Sequence, residues 1–232
     1  MQVTFSIQRY DSSKDTKPYR QKFKLEVEPT DRILDCLDRI KWDFEGSLTY
    51  RRSCSHGICG SDAININGKN MLACQILIQD IKKKFIRIDP IPGMPIIKDL
   101  VVDTTDFFTK YEVVKPYLIA KNPPPKERYQ SQADRAVIDE SVNCILCGAC
   151  TSSCPSMWGN PNYLGPAAML KAYRFAFDSR DEAPAEHLEA IDTSDGVWRC
   201  HTIFNCVEAC PKEINLTWHI SQLKKKMVER EL

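Results

Sequence analysis

Apolar and polar positions alternate at the start of the chain. Val3, Phe5 and Ile7 are separated by Thr4 and Ser6, and Phe23, Leu25 and Val27 by Lys24 and Glu26; a period of two predicts two half-buried strands. After Pro29 the period changes. Ile33, Leu34, Leu37 and Ile40 recur at helical spacing, with Thr30 or Asp31 placed to cap the first turn. Ala63, Ile64 and Ile66 then run into Asn67-Gly68, a dipeptide that accepts positive φ at both central residues of a tight hairpin, and residues 85–88 supply a last strand. The pattern is a small sheet crossed by one helix.

Residues 89–95 carry Pro90, Pro92, Gly93 and Pro95, which can neither continue a helix nor sit in a central strand. The domain linker is expected there, dividing the chain into residues 1–100 and 101–232. Beyond it the alternation fades. Helical spacing appears in Phe107, Phe108, Tyr111 and Val114 and in Met169, Leu170, Tyr173 and Phe177. Pro166 after Gly165 suits the first turn of a helix, and residues 214–231 form a closing helix with Trp218, Ile220, Leu223 and Met227 on its apolar side. Prolines 123–125 mark a stiff loop. The fold class is therefore α+β, with a helical second domain.

Composition narrows the chemistry. The net charge of +1 over 232 residues gives no bulk attraction to nucleic acid or an anionic membrane, and the lysine runs at 82–84 and 224–226 read as solvated faces. No stretch reaches the roughly 18 to 20 consecutive apolar residues of a membrane-spanning helix. The first ten residues have neither an apolar signal core nor a small-residue cleavage site, so a reducing compartment is expected. In that setting eleven cysteines, an odd number, point to metal or redox chemistry and away from a disulfide framework.

The spacings say which. Cys54 and Cys59 are followed by Asp62 at the next ligand position, with Cys74 past the Asn-Gly hairpin; with cysteine at 62 this would be the plant-type [2Fe–2S] pattern. Gly57 and Gly60 let backbone amides approach anionic sulfur, and Arg51 and Arg52 add positive charge. Asp62 is either a carboxylate ligand to one iron or a hydrogen-bonded bystander; a zinc loop is the plainer alternative, although this spacing is uncommon for zinc. Cys144, Cys147, Cys150 and Cys154, followed by Pro155, are the bacterial ferredoxin run. The same template falls on Cys200, Ile203, Cys206 and Cys210 before Pro211, with isoleucine in place of one cysteine. The fourth cysteine of each run crosses to the other cluster in two-cluster proteins. Cys144, Cys147, Cys150 and Cys210 then hold [4Fe–4S], and Cys154, Cys200 and Cys206, lacking a fourth ligand, hold [3Fe–4S].

Cys36 is left over at a helical position and reads as core. His56 lies inside the first cluster loop and His201 beside Cys200, whereas His187 and His219 read as surface or packing residues. Trp42, Trp198 and Trp218 read as core or interface aromatics, and Trp158 stands apart because it follows Pro155 and Ser156 beside a ligand. Three clusters without a nucleotide-binding glycine motif, a P-loop or a Ser-His-Asp order argue for electron relay.

These residues carry a resemblance. Arg51-Arg52-Ser53-Cys54, Cys59-Gly60-Ser61-Asp62, Asn67-Gly68 before Cys74, Cys144-Ile145-Leu146-Cys147, Cys154-Pro155-Ser156, Cys200-His201 and Cys210-Pro211 make the chain similar to the iron–sulfur subunits of succinate dehydrogenase and fumarate reductase. The resemblance implies a plant-ferredoxin-like β-grasp domain followed by an all-α bacterial-ferredoxin-like domain. It also implies a flavoprotein partner whose FAD interconverts succinate and fumarate, so that the catalytic residues for succinate lie in another chain. Electrons would then pass through the three clusters to a quinone held against one or two membrane anchor subunits, with or without heme b. Pro155, Ser156, Trp158, His201 and Ile203 match the quinone-pocket wall; Gly159 stands where many members have a second tryptophan, which leaves ubiquinone and menaquinone both open. The expected place is the membrane surface, on the cytoplasmic side of a bacterial inner membrane or the matrix side of a mitochondrial one. A soluble fumarate reductase is the nearest alternative, and the direction of turnover is not readable.

Overall fold

The computed structural model describes residues 1–231. In chain order it contains β1 (Gln2–Arg9), β2 (Tyr19–Glu26), α1 (Ile33–Asp43), β3 (Ala63–Ile66), β4 (Lys69–Leu72), α2 (Ile78–Ile81), β5 (Phe85–Asp89), β6 (Ile96–Lys98) and β7 (Val101–Val102). The helices α3 (Thr105–Val113), α4 (Gln132–Val142), α5 (Ala149–Ser152), α6 (Pro155–Gly159), α7 (Pro166–Ala176), α8 (Pro184–Glu189), α9 (Asn205–Glu208) and α10 (Leu216–Glu231) follow. The chain forms two units. The first is Met1–Thr104 together with Ile145–Ser152; the second is Thr105–Cys144 and the chain from Ser153 onward.

In the first unit the sheet order is β2-β1-β5-β3-β4, with β1 and β5 parallel and the other pairs antiparallel. This is the β-grasp arrangement. Alternation of Val3, Phe5 and Ile7 buries one face of β1 against α1, whose Ile33, Leu34, Leu37 and Ile40 are all buried. Ser6, on the opposite face, is nonetheless buried because Arg20 reaches across from β2 and its Nε donates to Ser6 Oγ at 2.9 Å. Asn67 (φ 51°) and Gly68 (φ 90°) form the turn between β3 and β4, as the dipeptide predicts. The helix cap differs from expectation. Arg32 is the N-cap residue and its backbone N–H is taken by the Asp35 carboxylate at 3.1 Å; the Asp31 carboxylate turns back to the Glu28 N–H.

The proline-rich stretch is not a linker. Pro90 and Ile91 are buried and the chain continues into the β6–β7 hairpin, so the first unit runs to Thr104. Its prolines and Gly93 (φ 77°) turn the chain as it leaves the central strand β5. Residues 145–152, which sequence order puts in the helical half, pack on this unit through Ile145 and Cys147.

The second unit is helical. Gly165 (φ 90°) and Pro166 start α7, whose Ala168, Ala172 and Ala176 recur every four residues beside Met169 and Tyr173. They pack with Ile220, Leu223 and Met227 of α10, and with Leu188, Ile191 and Val197. The last helix starts two residues late because Asn215 Oδ1 accepts the Trp218 N–H at 3.1 Å and so closes the first turn. All four tryptophans are at least 42% exposed, which removes them from the core. His187 and His219 are buried instead: His187 lies between the Val114 carbonyl and Asp181, and His219 against the Asn215 carbonyl and the Tyr173 ring.

Candidate metal centres

The first candidate centre is the loop between α1 and β3. Gly57 (φ 75°) and Gly60 (φ 69°) turn its backbone inward, so that the N–H groups of Ile58 and Cys59 both point to Cys54 Sγ at 3.3 Å. The backbone N–H of His56, and then those of Cys59 and Ile58, bring the Cys54 thiol down to about 6. Cys74 enters from the far side of the β3–β4 hairpin. Burial and then the neighbouring Asp62 carboxylate push its thiol up to about 11, against an N–H from Gly57 and the Gln75 amide. The buried Asp62 carboxylate accepts the Cys74 N–H at 2.6 Å, and Cys59 Sγ lies 3.2 Å from Ser61 Oγ. The structure thus brings Cys54, Cys59, Asp62 and Cys74 together in a cradle of inward amides. That donor set fits the negative charge of a [2Fe–2S] centre. A side chain at Gly57 would displace the Gln75 side chain, since a Cβ there would stand 2.7 Å from Gln75 Cδ.

The loop is held from α1. Asp38, buried on that helix, accepts the Tyr50 hydroxyl at 2.5 Å and pairs with Arg52 at 3.3 Å; Arg32 donates to the Ser55 carbonyl at 3.1 Å. Sequence reasoning gave Arg52 a charge role but missed its anchor. An acidic residue on the otherwise apolar side of α1 was the available signal.

The cysteines of the first ferredoxin run divide between the units: Cys147 and Cys150 lie on the first, Cys144 and Cys154 on the second. In the second unit Cys144 and Cys210 interact; burial raises the Cys210 thiol, with Cys144 and Glu140 adding to it against backbone N–H groups of Ile214 and Lys212. Leu146 (φ 55°) and Gly148 (φ 78°) both take left-handed backbone in the run.

The third candidate centre lies wholly in the second unit. Cys154, Cys200 and Cys206 line one cavity with Pro155, Ser156, His201 and Ile203. Burial and then the Cys154 and Cys200 thiols push Cys206 up to about 12. Ile203 fills the second template position of its run on a loop bent by Thr202 (φ 56°) and Phe204 (φ 70°). Ser156 is buried, and its hydroxyl has no hydrogen-bond partner among the described residues, so the cavity wall offers a polar group to whatever enters. Trp158, 59% exposed, stands outside that lining. Lys224 does not lie on a solvated face: half-buried, it donates to the Cys200 carbonyl at 2.8 Å. Lys226 stacks on the Phe177 ring.

Among the described residues no three His, Cys, Asp or Glu side chains close on a single point, as one zinc ion would need. Cys36 is fully buried, and burial pushes its thiol up to about 12, which makes it packing. A broad depression lined by Asn67, Lys83, Lys84 and Arg87 lies at the β3–β4 turn and includes no cysteine.

Residues 4–109 match the 2Fe-2S iron-sulfur cluster binding domain, and residues 136–211 the 4Fe-4S dicluster domain. The chain is 43% identical over 231 residues to the succinate dehydrogenase iron-sulfur subunit of Coxiella burnetii, covering 98% of this chain and 97% of that one. It is 47% identical to the mitochondrial succinate dehydrogenase [ubiquinone] iron-sulfur subunit 1 of Oryza sativa subsp. japonica, over 97% and 82% of the two chains. Among solved structures, a chain of the Mycobacterium smegmatis Sdh1 complex in the apo form shares the fold, with a TM-score of 0.90, 23% identity, and coverage of 99% of this chain and 96% of that one.

Proposed function

The chain belongs to the family of succinate dehydrogenase iron–sulfur subunits, and from that premise we propose a residue-by-residue assignment of its relay. Membership makes it the electron-transfer subunit of succinate dehydrogenase, carrying [2Fe–2S], [4Fe–4S] and [3Fe–4S] clusters and working with a flavoprotein and membrane anchors. Succinate and fumarate are interconverted on the flavoprotein's FAD; this chain moves the electrons.

Cys54, Cys59, Asp62 and Cys74 hold [2Fe–2S]; Cys144, Cys147, Cys150 and Cys210 hold [4Fe–4S]; Cys154, Cys200 and Cys206 hold [3Fe–4S]. The clusters supply one-electron chemistry, and the protein supplies thiolates, inward amides and burial, which set each potential. The observation that carries the reading is the third cavity. Three thiols, with an isoleucine at the second template position of the last run, leave one iron corner without a ligand, and the same cavity offers the unpartnered Ser156 hydroxyl to a polar acceptor. A quinone carbonyl is such an acceptor; Pro155, Ser156, His201 and Ile203 of the cavity lining form its site, and Trp158, outside that lining, is assigned to it as exposed apolar surface. The exposed Trp158, Ile203 and Phe204 give that face the apolar surface an anchor subunit needs. Among the described residues no helix is long and apolar enough to cross a membrane; in our reading the anchors hold the chain on the cytoplasmic face of a bacterial inner membrane, or on the matrix side of a mitochondrial one.

Low-temperature EPR of the membrane-bound complex tests the assignment. An oxidised sample should show a three-iron signal that Cys206→Ser removes, while the [2Fe–2S] signal of the reduced sample survives; a three-iron signal indifferent to Cys154→Ser, Cys200→Ser and Cys206→Ser overturns it.

A further inference from the structure

We propose that Gly60 and Asn70 fix the separation of the first and second redox centres, with Gly60 as the point of closest approach; the inference rests on the ligand sets given above. Gly60 follows Cys59, a ligand of the first centre, and is buried with φ 69°. A Cβ at Gly60 would lie 2.8 Å from Cys147 Cβ, 3.0 Å from the Ile145 carbonyl oxygen and 3.1 Å from Cys147 Cα. Cys147 is a ligand of the second centre. The main chain beside one ligand therefore meets the main chain of another with no side chain between them.

Three contacts hold this approach. Asn70 of β4 is buried, receives the Asn65 amide at 2.8 Å on Oδ1 and donates from Nδ2 to the Ala149 carbonyl at 3.3 Å. Ile145 and Cys147 pack on the hydrophobic core of the first unit. Gly148 sits over Met94, where a Cβ would come within 3.2 Å of its Cε. The contacts of Gly60 with Ile145 and Cys147 thus lie within one unit, on the β-grasp core.

The step across the gap is a single electron leaving the reduced first centre for the oxidised second, with no bond made and no proton taken up. Its rate falls steeply with distance, so one methyl group wedged at Gly60 slows it. Gly57 meets the Gln75 side chain beside its own cluster's ligand, whereas Gly60 also faces a ligand of the neighbouring centre.

The test uses the intact membrane complex. Gly60→Ala adds the methyl, and Asn70→Ala removes the Ala149 anchor without touching a ligand or the φ of residue 60. Cluster content is read by EPR. Coupling is read as the enhanced spin relaxation that each reduced centre imposes on the other, and transfer as the rapid-freeze rate at which the second centre is reduced after the first. The expected result is three clusters at parent levels, weaker relaxation enhancement and a several-fold slower transfer. If Gly60→Ala fails to assemble, Asn70→Ala decides with the same readouts. Unchanged relaxation and rate with full cluster content overturn the proposal. A [4Fe–4S] signal that persists unaltered in Cys147→Ser overturns the ligand set beneath it, a different and separately visible failure.

Discussion

Asp38→Ala should weaken the first unit at its cluster loop. The Asp38 carboxylate is buried on α1 and accepts the Tyr50 hydroxyl at 2.5 Å, while Arg52 lies 3.3 Å away with about half its side chain exposed. Burial and then Asp38 hold the Tyr50 hydroxyl protonated, above the usual tyrosine range, so it remains the donor. Truncation releases Arg52 to water at a cost of about 0–1 kcal/mol, the worth of an exposed pair. The hydrogen bond from Tyr50 to a charged acceptor contributes more, about 1.5–3 kcal/mol. Relief of carboxylate burial offsets part of this. A net loss of about 2 kcal/mol lowers the unfolding midpoint of a unit this size by roughly 8–16 °C. Because Arg52 also donates to Ser55 Oγ at 3.3 Å inside the loop, the damage should reach the [2Fe–2S] site first. The assay is stepwise heating of the isolated complex with each cluster followed by EPR. The [2Fe–2S] signal should be lost before the other two, and Asp38→Asn, which keeps an acceptor for Tyr50, should recover about half of the loss. Loss of all three signals at the parent temperature in Asp38→Ala would refute the reasoning.

Three further outcomes are expected. Ile203→Cys supplies the missing ligand, so the three-iron EPR signal of the oxidised complex should give way to a [4Fe–4S] signal of lower potential and quinone reduction should slow; a retained three-iron signal counts against the template. Asp62→Cys should keep the [2Fe–2S] centre with a shifted potential, whereas Asp62→Ala should deplete it, as read by iron and sulfide analysis; full content in Asp62→Ala would make Asp62 a bystander that holds only the Cys74 amide. Asp178 is buried, which alone would raise its carboxyl, but the bonds from Arg180 and Arg174 outweigh burial and bring it to about 2. Its folded value is depressed, so it contributes about 2 kcal/mol that is present above about pH 4 and lost as pH falls toward 2; acid unfolding monitored by circular dichroism should show a shallower pH dependence in Asp178→Asn.

Much of this was legible along the chain, and the remainder was hidden for one physical reason. The strands, the Asn67-Gly68 turn and the α7 start depend on neighbours within a few residues, and periodicity and turn chemistry report such neighbours. The ligand runs were legible for the same reason. Each loop must present thiolates at fixed spacing, and the vacancy at Ile203 shows only because the template around it is complete. What failed depends on distant partners. Prolines 90, 92 and 95 announce turns but not that residues 145–152 come to rest beside Met94 and Ile91. His187 meets Val114 and Asp181, and Lys224 meets the Cys200 carbonyl, contacts that no local pattern encodes.

That division carries a consequence for how a relay evolves and breaks. Cluster type is written in a dozen residues of local motif, so a single change such as that at Ile203 can retune one centre and leave its neighbours intact. Spacing between centres is a tertiary property. It rests on Gly60 against Cys147 and on Asn70 reaching Ala149 across 79 positions of sequence. Substitutions that preserve every ligand can therefore still slow the relay, and they should be sought first among small and amide-bearing residues that bridge Met1–Thr104 to Ile145–Ser152.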